Sequence, residues 1–266
     1  MQYKLFFLIC VFYCGSVNAQ SKAFQDSLAR YSYLLYGSTE LNHPKNATIV
    51  RGQQATGFFI KKDSRIYFIT AKHAVTNYVA NGDTRNNYPD SFNVYAHYDD
   101  PFHYISIPAI WSSDSSALNG GLKDTDVFCY DVTHKLKGMR VSIIELPEIG
   151  ERLISRLNNF DKMRIFGFPE NMNKIEDNVI QITPPYRFES NDFLISENFL
   201  NLIGNDVGID SVRDEVQIKD SKITSAFGGF SGAPVFIENK VGKWELMGVL
   251  VGINPLRNAL YVSKTP

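Results

Sequence analysis

The spacing of apolar positions changes near residue 47. Before it, Phe24, Leu28, Tyr31, Leu34 and Leu35 recur at helical spacing, which predicts a short amphipathic helix over residues 22–36. After it, short runs rich in β-branched and aromatic residues alternate with Gly, Asn, Asp and Pro. A first set of runs covers 48–50, 56–60, 66–70, 92–97, 104–110 and 127–132. A second covers 162–166, 179–183, 193–196, 216–218, 233–237 and 244–251. Helical spacing returns only around Leu153 and Leu157, between the two sets. Helices this few cannot cover both faces of a parallel sheet, so the pattern predicts an all-β chain. The expected architecture is two antiparallel six-stranded β-barrels behind a short N-terminal helix, with the active site in the cleft between the barrels. A helical lead-in is expected over 20–46, barrel one over about 47–135, a connection over 136–160 and barrel two over about 161–262, within a single domain running from 47 to 266.

Residues 1–19 stand apart from this pattern. Lys4 precedes an unbroken apolar stretch over 5–13, and Val17-Asn18-Ala19 places small residues at the cleavage-relevant positions, so the segment reads as a secretory signal cut after Ala19. The competing readings are a buried N-terminal strand and a lipoprotein signal at Cys14-Gly15, the second of which has bulky Phe12 and Tyr13 where small residues are wanted. The stretch falls well short of the roughly 20 residues that span a bilayer, and no later stretch reaches that length. A mature protein with no membrane span, periplasmic or secreted, is therefore expected.

Cleavage also changes the cysteine arithmetic. Cys10 and Cys14 leave with the signal, so Cys129 is alone and no intrachain disulfide can form. Cys129 alternates with apolar neighbours and is expected as a small buried hydrophobe.

Composition narrows the function classes. With 44% hydrophobic and 21% charged residues, the 266-residue chain is an ordinary globular sequence, and 13% aromatic content suits a pleated core. Lys and Arg number 27 against 28 Asp and Glu, and the basic residues are scattered without aromatic interleaving, so no nucleic-acid partner is expected. There is no His-Glu-x-x-His, P-loop, dinucleotide fingerprint or EF-hand loop, and neither cofactor nor metal is expected. Asp99-Asp100 and residues 81–87 have oxygen ligands, but a solvated hairpin tip is the commoner use of such segments.

The segment Gly228-Gly229-Phe230-Ser231-Gly232-Ala233-Pro234, followed by Val235-Phe236-Ile237, is the most informative. Glycines around a serine at the entry to a strand present the hydroxyl on a tight turn and let backbone N–H groups converge, as a developing oxyanion requires. A Gly-rich hairpin turn accounts for the same letters equally well. An α/β-hydrolase elbow does not, since Ala233 stands where its second glycine belongs.

A serine nucleophile needs a base. Of five histidines, His43, His97, His103 and His134 lie among polar or loop residues, where solvated roles are expected. His73 follows the apolar run 66–70 directly and is the candidate.

Thr70-Ala71-Lys72-His73 resembles the catalytic-histidine motif of trypsin-like, chymotrypsin-fold serine proteases, and Gly229-Phe230-Ser231-Gly232-Ala233-Pro234 resembles their nucleophile motif. Ala55-Thr56-Gly57-Phe58-Phe59-Ile60 is similar to the strand opening their first barrel, and Phe166-Gly167-Phe168-Pro169 to a turn in the second. Gly248-Val249-Leu250-Val251-Gly252-Ile253-Asn254 is similar to the wall strand of bacterial HtrA-type members. The five segments cover roughly residues 47–262 in the family's order.

The resemblance implies an exported serine endopeptidase acting on polypeptide through Ser231, His73 and an aspartate between them. Asp124, Asp126 and Asp131 compete for that place; Asp126, directly before the run 127–130, matches the family arrangement best. Asp124 is the fallback and Asp131 is expected to point outward. By the same resemblance the N–H groups of Gly229 and Ser231 form the oxyanion hole, and Ser225, Leu250, Val251 and Gly252 bind substrate. The lack of a charged group near Ser225 implies an uncharged preference at the residue before the scissile bond. Phe230 replaces the aspartate of members activated by proteolysis, so that switch is not expected. Lys72 puts a cation beside His73 and is expected to face solvent. A barrel pair that only binds peptides or envelope proteins, and an esterase on the same fold, are the rival readings.

Overall fold

The computed structural model describes residues 27–42, 48–78, 88–97, 100–112, 126–145, 162–170, 174–176, 179–196, 213–224, 227–238 and 242–263. The expected signal, the start of the expected helix, residues 81–87, His43, Asp99, Asp124, the segment around Leu153 and Leu157, and Ser225 lie outside these.

The first half of the chain contributes β1 (Tyr33–Asn42), β2 (Thr48–Lys62), β3 (Arg65–Ala71), β4 (Thr76–Tyr78), β5 (Ser91–His97), β6 (Asp100–Pro108), β7 (Ile110–Ser112), β8 (Val127–Asp131) and β9 (Ile143–Glu145). The second contributes β10 (Lys162–Gly167), β11 (Lys174–Glu176), β12 (Val179–Gln181), β13 (Tyr186–Ser190), β14 (Phe193–Ser196), β15 (Arg213–Ile218), β16 (Pro234–Glu238), β17 (Trp244–Asn254) and β18 (Ala259–Ser263). The all-β architecture of two curled antiparallel sheets is as expected, but each sheet has seven strands rather than six. The first runs β6-β5-β1-β2-β3-β8, with β9 added parallel to β2. The second runs β13-β10-β16-β17-β18-β15-β14.

Two strands of the first sheet, β1 and β9, fall outside the expected runs, while the runs at 48–50 and 56–60 join as β2; β1 also corrects the helix expected over 22–36. Residues Ala29–Tyr31 form one 3₁₀ turn, after which the chain is extended and pairs with both β2 and β5. Both faces of β1 are covered. Tyr33 and Leu35 enter the first-sheet core with Phe59, Phe68, Phe92 and Ile107, while Leu34 packs with Tyr95, Phe168 and Ile182. A strand buried on both faces carries an unbroken apolar run, which short-range periodicity cannot separate from a helix.

Each sheet closes around its own core. In the second, Met163, Ile165, Val216, Val235, Ile237, Leu260 and Val262 are buried together. A third cluster joins the two: Phe58 and Ile60 of β2 and Ile69 and Ala71 of β3 meet Val249 and Val251 of β17. Each large side chain so buried contributes about 1.5–3 kcal/mol relative to exposure, which holds the sheets face to face. Among the described residues no helix is long and apolar enough to cross a membrane.

Cys129 is a second correction. It is exposed on β8, not buried. β8 ends the first sheet, and alternation puts Val127, Cys129 and Asp131 on one face; Val127 packs under the inter-sheet cluster, whereas Cys129 and Asp131 lie beyond its cover.

Candidate active site

Three strand ends deliver side chains to one end of the inter-sheet seam. β3 stops at Ala71 and passes into a 3₁₀ turn, Lys72–Val75, whose apolar Val75 is fully buried in the first core and so fixes the orientation of the turn that carries His73. Val127, the first residue of β8, pairs with Ala71, and the Lys72 N–H donates to the Asp126 carbonyl at 3.1 Å, which sets Asp126 beside the turn. Ser231 lies on the turn that enters β16 at Pro234.

The carboxylate of Asp126 engages His73 twice. Its Oδ1 accepts the His73 backbone N–H at 3.0 Å, and its Oδ2 lies 2.6 Å from His73 Nδ1. A carboxylate only accepts, so the Nδ1 proton is held toward Asp126 and Nε2 is left as the acceptor. His73 Nε2 lies 2.9 Å from Ser231 Oγ, whose hydroxyl can therefore donate to it. Asp126 is 2% exposed and the His73 side chain 25%, so the carboxylate is shielded while the imidazole keeps an open side. Among the three aspartates weighed, Asp126 meets His73; Asp131 points outward, close to Arg65 and Thr133. The Thr133 hydroxyl and N–H, donating to Asp131, hold its carboxyl below the usual range. Lys72 is half-buried, less outward than expected. His103 and His134 are exposed.

The glycines flanking Ser231 are required by close backbone approach. Gly232 has φ +89°, and a Cβ there would sit 2.1 Å from the Thr56 carbonyl oxygen and 2.2 Å from Thr70 Oγ1. Gly229 has φ +88°, and a Cβ there would meet the Phe168 carbonyl oxygen at 2.1 Å. The Gly232 N–H donates to Leu250 O at 2.7 Å and the Ala233 N–H to Phe230 O at 2.8 Å, closing the turn against β17. Neither the Gly229 N–H nor the Ser231 N–H has a hydrogen-bond partner among the described residues. Two free donors two residues apart on a turn suit an anionic oxygen beside Ser231 Oγ.

Phe230, directly before Ser231, is 1% exposed. Its ring packs over Gly167 and against Phe227 and Tyr186, so an apolar anchor holds the serine turn to the second core.

The three described substrate-binding candidates differ in placement. Leu250 turns its side chain into the second-sheet core, and its backbone braces the serine turn from both sides, donating to Ala233 O and accepting from Gly232 N–H. A β-bulge follows: Leu250 pairs with Val262 and Gly252 with Tyr261, which leaves Val251 as the extra residue. The bulge puts Val251 and Gly252 on the same side, the one facing the seam, where Val251 packs near Ala71 and Tyr261.

The motif reading missed several supporting residues. Thr56, fully buried on β2, and Gln54 beside it reach across the seam to the backbone of the second sheet. Their letters look like ordinary strand residues, and the only hint was a threonine against a glycine in an apolar run. Among the described residues no group of three or more His, Cys, Asp or Glu is placed to hold a metal ion.

No protein-family model matches the chain, and no curated protein does. Among solved structures it is similar to a thermostable serine protease, AL20, from an extremophilic microorganism, at 13% identity and a TM-score of 0.46, over 89% of this chain and 91% of that one. It is also similar to the protease Anisep from Arthrobacter nicotinovorans, at 13% identity and a TM-score of 0.44, over 88% of this chain and 90% of that one.

Proposed function

We propose that the chain is a serine endopeptidase of the trypsin-like class, exported through a signal at residues 1–19, with Ser231 as nucleophile, His73 as general base and Asp126 as the group that orients His73. The observation that carries this reading is the unbroken line from Asp126 Oδ2 to His73 Nδ1 at 2.6 Å and from His73 Nε2 to Ser231 Oγ at 2.9 Å. Both contacts fall within the reach that proton transfer needs.

The chemistry follows from that line. Ser231 Oγ attacks the peptide carbonyl carbon as its proton passes to His73 Nε2, and the C–N bond breaks when the same proton is given to the leaving amine. Water then hydrolyses the acyl-enzyme, giving its proton to His73 and finally restoring the Ser231 hydroxyl. Asp126 stabilises the imidazolium formed at each stage, and the Gly229 and Ser231 N–H groups receive the oxyanion. Substrate lies along Val251 and Gly252; the seam carries no charged side chain from 250–253, which favours an uncharged residue before the scissile bond.

Replacing Ser231 with Ala tests the proposal. The variant is expected to lose both casein cleavage and covalent labelling by a fluorophosphonate probe, with its fold intact. Undiminished cleavage in Ser231→Ala overturns the assignment. A wild-type protein that binds peptides yet leaves the probe unreacted would point instead to a binding module.

A further inference from the structure

Thr56 is fully buried, and both its N–H and its hydroxyl make hydrogen bonds across the seam. Its N–H donates to Ser231 O at 2.9 Å, and its carbonyl accepts the Thr70 hydroxyl at 2.7 Å. Its own hydroxyl donates to Gly229 O at 2.8 Å and accepts the Phe168 N–H at 3.0 Å. One side chain of the first sheet thus ties together the serine turn and the segment after β10.

That segment holds the other side of Gly229. Gln54 Nε2 donates to Phe168 O at 2.7 Å and Pro169 O at 3.0 Å, and the Glu170 N–H donates to Gly228 O at 3.0 Å. In a trans peptide the N–H points opposite to the preceding carbonyl, so holding Gly228 O toward Glu170 sets the direction of the Gly229 N–H. Gly229, with φ +88° and no Cβ, has little conformational preference of its own to keep that direction. Both peptide planes that flank it are fixed from outside, one by Thr56 directly and one through the segment that Thr56 and Gln54 hold.

We propose that Thr56 is a positioning residue for the reaction: through its hydroxyl, and with Gln54 behind it, it keeps the Gly229 N–H aimed at the oxyanion. This rests on the reading of Ser231 as nucleophile. Thr56 touches no reacting atom; it acts through Gly229 and the 168–170 segment. Loss of the hydroxyl frees the Gly229 carbonyl and leaves the Phe168 N–H without its acceptor, so the donor spends less of its time in the productive direction.

The test compares Thr56→Val, Thr56→Ser and Gln54→Met in the full chain, with fluorescein-labelled casein as substrate and circular dichroism to verify the fold. Removing one oxyanion donor outright costs about 10²–10³ in turnover, so Thr56→Val, which loosens a donor without deleting it, is expected to lower kcat by about 10- to 100-fold. KM is expected to stay within about threefold, because ground-state binding is untouched, and Thr56→Ser to recover turnover to within about threefold. Wild-type kcat in Thr56→Val, or an equal loss in Thr56→Ser, overturns the proposal, as does a loss that appears in KM alone. Should Thr56→Val fail to fold, Gln54→Met decides: it is expected to lower kcat by about 3- to 10-fold, and unchanged kcat overturns the proposal. Retained activity in Ser231→Ala would instead overturn the protease reading, whatever the Thr56 variants do.

Discussion

Replacing Asp126 with Asn changes one atom at a site that leaves the new side chain a single orientation. Asp126 offers two acceptor oxygens to two donors, the His73 N–H at 3.0 Å and the His73 Nδ1 proton at 2.6 Å. Asparagine has one oxygen and one NH₂ group. The backbone N–H cannot turn into an acceptor, so the amide oxygen must remain on it, and the NH₂ must then face Nδ1. Nδ1 becomes an acceptor, the imidazole proton moves to Nε2, and Nε2 donates toward Ser231 Oγ instead of accepting from it. The base is thus present, correctly placed and in the wrong tautomer. A swap of this kind costs about 10⁴ in turnover, or about 5 kcal/mol of transition-state stabilisation at roughly 1.36 kcal/mol per tenfold. Stability should change little, because the substitution removes a buried charge while keeping the volume and one hydrogen bond. The measurement pairs fluorophosphonate labelling rates and casein turnover with a thermal melt. Labelling of Asp126→Asn at more than about a tenth of the wild-type rate, with the fold intact, would refute the tautomer argument.

Two further outcomes test the framework around the site. Gly232→Ala combines a left-handed φ of +89° with a Cβ at 2.1 Å from the Thr56 carbonyl, so strain and overpacking together should destabilise the protein by about 3–5 kcal/mol in urea unfolding; a shift under about 1 kcal/mol would contradict the close approach. Tyr33 carries a pH signature. Burial pushes its hydroxyl up to about 12, against the lowering effect of hydrogen bonds with Ser142. A pKa raised by folding stabilises fully below the unfolded value near 10 and loses that contribution as pH rises toward 12. Tyr33→Phe keeps the edge-to-face contact with Phe59 but removes the ionisable group. The stability gap between wild type and Tyr33→Phe should therefore hold up to about pH 10 and narrow as pH rises from there toward 12 in urea melts, and a constant gap would count against a buried, protonated hydroxyl.

Much of the framework was legible because strands carry their own local record. The runs at 56–60 and 66–70 became β2 and β3, and 233–237 and 244–251 became the core of β16 and β17, since alternation against Gly and Asn turns reports which face is buried. The missed strands include β1, β9, β13 and β18: β1 is covered on both faces and so lacks one-sided alternation, and β9 and β13 are too short, at three and five residues, to carry a run of it. Cys129 was misplaced because an alternating pattern names two faces without saying how far the cover over each extends.

The letters alone determined the all-β class and the two sets of strands, and marked a histidine turn and a glycine-flanked serine as separate candidates. Each depends on residues close in sequence, whose side-chain alternation and turn chemistry act over a few positions. Tertiary structure decided the rest. It made β1 a strand by placing partners on either side, and brought Asp126, not Asp131, to His73. It set His73 within reach of a serine 158 residues away, and Thr56 against a glycine carbonyl 173 residues away. A hydrogen bond between residues so distant leaves no periodicity behind; it exists only because two cores and the seam between them fix where each backbone runs.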